Sequence, residues 1–80
     1  MPTHLIRVLG GLDPDDPLAP VLVDLEQNLE VGQVFPKAGE GCRFRTSDGK
    51  PLQVEESLQL RCLKKLESGY YGPMYLAELA

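Results

Sequence analysis

Few side chains in this sequence can do chemistry, and their spacing supports little of it. His4 is the only histidine, and Cys42 and Cys62 are the only thiols. A Cys–His pair is the smallest set that makes a nucleophile, since the imidazole takes the thiol proton. Spacing lets either cysteine meet His4, but nothing stands out as the third group that orients the base. The cysteines also lack metal-ligand spacing, and both fall at positions that read as inward-facing, where a thiol acts as a small hydrophobe. Ser47, Ser57 and Ser68 have no nucleophile-elbow context. Asp13, Asp15 and Asp16 invite a calcium or magnesium reading. The fixed glycine and glutamate of a calcium loop are missing, however, and carboxylates ahead of a helix serve equally as caps. Gly10-Gly11 lacks the spaced glycines of a nucleotide loop. The expectation is a protein that is not an enzyme and holds no metal or cofactor.

Two surface features remain. Arg43 and Arg45 alternate on one strand, with Lys37 and Lys50 in flanking loops and Arg61, Lys64 and Lys65 on the following element. Arginine forks bind phosphate oxygens and their planes stack on bases, which is the chemistry of RNA or single-stranded DNA binding. No outward-facing aromatic residue is expected beside these arginines, and the chain as a whole is acidic. The second feature is Tyr70, Tyr71 and Met74 around Gly72-Pro73. Neighbouring tyrosines diverge, so at least one phenol is expected on the surface, and tyrosine, methionine and arginine are enriched at protein interfaces. The favoured reading is a small accessory or regulatory module that docks on a protein through Tyr70, Tyr71, Met74, Arg43 and Arg45. Nucleic-acid binding is the alternative. An acidic helix face of Asp24, Glu26 and Glu30 is a further contact surface for a basic protein.

The elements that would position these residues follow from apolar spacing. Thr3 to Leu9 reads as a strand stopped by Gly10-Gly11, without alternation that settles its buried side. Asp16 as N-cap, Pro17 at the first helical position and Gly32 at the end frame a helix. Its stripe is Leu18, Val21, Leu22, Leu25 and Leu29. Val34 suggests a short strand. Cys42 to Thr46 reads as a strand with Cys42, Phe44 and Thr46 on one face, and Asp48-Gly49 as a hairpin turn returning through Leu52 and Val54. Residues 55–68 are rich in helix formers and predict a second helix. Leu58, Leu60 and Cys62 also alternate, so a strand paired with the final one is the rival. Met74 to Leu79 closes the chain as a strand with Tyr75, Ala77 and Leu79 on one face. The expected fold is α+β: one domain over residues 1–80, an antiparallel sheet of four to five strands with two helices on one face in a split βαβ plan. The first and last strands lie side by side in that plan. A small partly open β-barrel with one helix is the alternative.

Composition bounds these readings. With 80 residues, 42% hydrophobic and 25% charged, the chain is expected to fold with a modest core, burying about 60% of the surface its unfolded form exposes. The net charge of -4 is uneven: residues 1–36 sum to -5, residues 37–65 to +3 and residues 66–80 to -2. The longest apolar run, Leu18 to Val23, contains Pro20 and is far short of a membrane span. Met1 to Leu5 lacks the pattern of a secretory signal, so a cytoplasmic location is expected. Open sheet edges in so small a domain also allow a homodimer by edge pairing. No motif is specific enough to carry a family resemblance.

Overall fold

In the computed structural model, residues 3–66 and 74–80 are described. Alternation of apolar side chains builds five strands: β1 (Thr3–Val8), β2 (Val21–Leu25), β3 (Cys42–Thr46), β4 (Leu60–Leu66) and β5 (Met74–Leu79). They form one sheet in the order β3-β2-β1-β5-β4. At its centre β1 and β5 run parallel, and every other neighbouring pair is antiparallel. One face of the sheet is the core. His4, Ile6 and Val8 point into it from β1, Val21, Val23 and Leu25 from β2, Cys42 and Phe44 from β3, Leu60 and Cys62 from β4, and Tyr75 and Ala77 from β5.

The connections cover this face. Leu29 and Phe35 are buried in it from the segment after β2, and Leu12, Leu52 and Val54 pack against it. The Tyr75 hydroxyl accepts a hydrogen bond from the Leu29 amide at 3.3 Å, and the rings of Phe35 and Tyr75 meet edge to face at 5.8 Å between centroids. One buried aromatic thereby pins a long connection to the sheet.

No helix occurs among the described residues, so both expected architectures with helices are corrected to a five-stranded mixed sheet. The first expected helix is β2 with a turn on either side. Leu18, from its supposed buried stripe, is 87% exposed, and Leu22 faces away from the core opposite Leu5. Spacings of three and four gave the stripe, yet Val21, Val23 and Leu25 also fit a period of two, and β1 and β3 on either side select the strand. The second expected helix is a turn followed by β4, which pairs antiparallel with β5 from Leu60↔Leu79 to Leu66↔Met74. A bulge between Cys62 and Lys64 breaks its alternation, bringing Lys64 opposite Leu76.

Both outer edges of the sheet are partly covered. Val34 bridges Arg61 antiparallel, while Gly32 and Phe35 donate to the carbonyls of Cys62 and Leu60 at 2.8 and 2.7 Å. On the β3 side, Gly49 turns the chain with φ of 92°, a conformation glycine takes at little cost. Thr46 then donates to Lys50 and Leu52 to Phe44. The hairpin return is a short bridged segment and not a full strand. No helix among the described residues is long and apolar enough to cross a membrane.

Candidate functional site

The face of the sheet opposite the core carries the candidate site. Cα partners across strands share a side, so the pairing registers give its layout directly. Arg45, Leu22, Leu5, Met74 and Leu66 form one row across all five strands. Arg7, Leu76 and Lys64 form the next. Arg43, Asp24 and Thr3 lie beyond one side of these rows, and Val34, Arg61 and Glu78 beyond the other. Leu5, Leu22, Met74, Leu76 and Leu66 are half-buried, whereas Arg7, Arg43, Arg61 and Lys64 are exposed. The face is an aliphatic strip with cations along both sides.

Charge is segregated between strands and connections. Arg7, Arg43, Arg45, Arg61, Lys64 and Lys65 place six of the eight cations on strands, where Asp24 and Glu78 are the only described acids. The connections hold nine described acids, among them Asp13, Asp15, Asp16 and Glu40, against Lys37 and Lys50.

Of the residues expected to make contact, Arg43, Arg45 and Met74 share this face, and Tyr70 and Tyr71 lie outside the described residues. Arg45 is committed to the fold. Its Nε and Nη2 each donate to an Asp24 carboxylate oxygen at 3.0 Å, and Thr3 Oγ1 donates to Asp24 Oδ1 at 2.6 Å. Burial pushes the Asp24 carboxyl up, but the hydrogen bonds from Thr3 and Arg45 and the charges of Arg45 and Arg43 outweigh it and hold its pKa below the usual value. Asp24 therefore does not belong to a free acidic helix face, and Glu30 is engaged with Lys65 at 3.1 Å. Arg61, Lys64 and Lys65 sit on a strand and not on a helix. Arg61 keeps only a loose, exposed contact with Glu78 at 3.8 Å.

Sequence reading missed the aliphatic strip. Leu5, Arg7 and Leu76 were visible as alternate strand positions, but nothing local fixed which side was buried. Leu22 was hidden in the mistaken helical stripe.

The residues that suggested catalysis or metal binding have structural surroundings. Cys42 and Cys62 are free thiols in the core. Burial, reinforced by the Asp24 charge, pushes the Cys42 thiol up to about 11, and burial also raises Cys62. Neither supplies a thiolate at neutral pH. His4 packs against Tyr75 with the rings tilted and 5.2 Å between centroids, its Nδ1 has no hydrogen-bond partner among the described residues, and burial lowers its pKa. Asp13 Oδ1 accepts from the Asp15 amide at 2.9 Å and Asp16 Oδ1 from the Leu18 amide at 3.3 Å, so both act in turns. Among the described residues no three His, Cys, Asp or Glu side chains converge as metal ligands. A concavity of about 300 Å³ is lined by Phe35, Phe44, Val54, Leu58 and Leu60, together with Lys37, Glu40, Glu55 and Glu56. Three of these apolar residues, Phe35, Phe44 and Leu60, belong to the core.

Comparison of the chain with protein-family models, curated proteins and solved structures gave no match.

Proposed function

We propose that this chain is a non-enzymatic docking module that binds an acidic protein surface through the open face of its sheet. The observation that carries the reading is the half-buried strip of Leu5, Leu22, Leu76 and Met74 flanked by Arg7, Arg43, Arg61 and Lys64. An aliphatic strip that the described residues leave uncovered gains stability when a partner covers it, and the cations steer partners of opposite charge. Tyr70 and Tyr71 remain part of the proposal as neighbours of Met74 in sequence. Lysate pull-downs with and without nuclease, using wild type and Arg7→Glu/Lys64→Glu, test it. A nuclease-resistant partner that the variant fails to capture supports the reading, and equal capture by both overturns it.

Nucleic acid is the second reading, favoured by the same arginines. It is weakened by the aliphatic strip, since single strands are held by stacking on aromatic side chains. Capture that disappears with nuclease, with affinity falling steeply as salt rises, would move it to the front.

A further inference from the structure

We propose that the open sheet face receives a second copy of this chain, through the acidic turn at residues 13–18. The proposal rests on the reading of that face as a docking surface and names its occupant. Asp13, Asp15 and Asp16 precede Leu18 in the same turn, and Leu18, 87% exposed, is the most exposed large apolar side chain among the described residues. An aliphatic side chain among carboxylates is the complement of an aliphatic strip among cations.

The turn is also held ready. Pro14, Pro17 and Pro20 restrict its backbone. The Asp13 and Asp16 carboxylates accept from the amides of Asp15 and Leu18, and the Asp16 carbonyl accepts from Ala19 at 3.1 Å. Gly11, with φ of 73°, lies so close to the Pro17 carbonyl that a Cβ there would collide with it. The turn is thereby seated against the end of β1, and a projection fixed in advance loses little entropy on docking.

On the receiving side, Arg7 and Lys64 flank Leu76 in one row, and neither makes an ion pair among the described residues. Leu18 of one copy seats between Leu5, Leu22 and Leu76 of the next, with Asp15 and Asp16 against Arg7 and Lys64. A turn meeting a sheet face can be reciprocated about a two-fold axis, closing a dimer, or repeat head to tail into a chain or ring. Edge pairing is the less open route, because residues 32–35 and 50–52 already occupy the outer edges at Leu60–Cys62 and Phe44–Thr46.

Analytical ultracentrifugation of the full chain from micromolar to millimolar concentration, at low and high salt, tests this. The expected result is a mass that rises with concentration and falls as salt is added. Leu18→Ser/Asp15→Lys and Arg7→Glu/Lys64→Glu alter exposed positions, and circular dichroism checks that each variant folds. Each should weaken self-association roughly tenfold or more. An equimolar mixture of the two should form a discrete dimer, since one variant keeps the face and the other the turn. A wild type that stays monomeric throughout overturns the proposal. Association that survives the turn variant but not the face variant also overturns it while leaving the docking reading intact. Association indifferent to both variants overturns the proposal and removes the face from it.

Discussion

Arg45 and Asp24 meet diagonally across β3 and β2, and both carboxylate oxygens lie 3.0 Å from a guanidinium nitrogen. Their side chains are 28% and 13% exposed, so the pair is largely shielded from water. It ties together the strands on one side of the open sheet face, with Thr3 of β1 as the third member. Asp24→Asn leaves Arg45 partly buried without a counter-charge and should cost about 1–3 kcal/mol. Asp24→Asn/Arg45→Met should recover part of that loss, because no charge is then stranded. Urea denaturation of both variants checks the pair.

Acid should lower stability over two pH ranges, each traceable to a lowered pKa. Burial holds His4 below its ordinary 6.5. The unfolded chain therefore binds a proton that the folded one refuses, and stability falls as pH drops below 6.5 towards the folded value. The Asp24 carboxylate lies below its ordinary 3.8. Its contribution is complete above that value and is lost as pH falls through the lower folded pKa. Denaturant midpoints followed from about pH 8 to about pH 3 should show both slopes, and His4→Phe should remove the first alone.

Two adjacent glycines should respond differently to alanine. Gly10 and Gly11 both have positive φ, but only Gly11 faces the Pro17 carbonyl, while a Cβ at Gly10 meets nothing within 4 Å. Gly10→Ala carries the conformational cost alone, about 1 kcal/mol. Gly11→Ala adds a clash with backbone, so its melting temperature should fall further, and it should also weaken self-association by displacing the turn.

Thiol reagents should find the native protein nearly inert. Cys42 and Cys62 are buried with raised pKa values, so labelling at neutral pH should wait on opening of the fold and accelerate with urea. Fast labelling of either thiol in the native protein would contradict this placement and reopen the question of cysteine chemistry.

Legibility of the fold varied along the chain for physical reasons. Cys42–Thr46 could be read from alternation and the Asp48-Gly49 turn, because both signals are local. Residues 16–32 could not. Their apolar spacing satisfies two periods, and the strand wins only because β1 and β3 provide ladders on both sides of it. In β4 the alternation of Leu60 and Cys62 offered the strand as a rival, but the bulge after Cys62 cut it short and left a run of helix formers to compete. For the site, the arginines and Met74 were visible by residue type. The leucines between them were not, since an aliphatic side chain on an uncovered face looks like a core residue until the buried face is known.

The central position of β1 and β5 has a kinetic consequence. Their parallel pairing, from Leu5↔Met74 to Val8↔Ala77, joins segments almost a full chain length apart. The sheet cannot close until that long loop does, so folding should be slow for a domain this small. Without β5, β4 has no neighbouring strand in the sheet and β3-β2-β1 is left with a bare edge. A chain still being synthesised passes through that state, exposing the parallel edge of β1 until the final strand arrives.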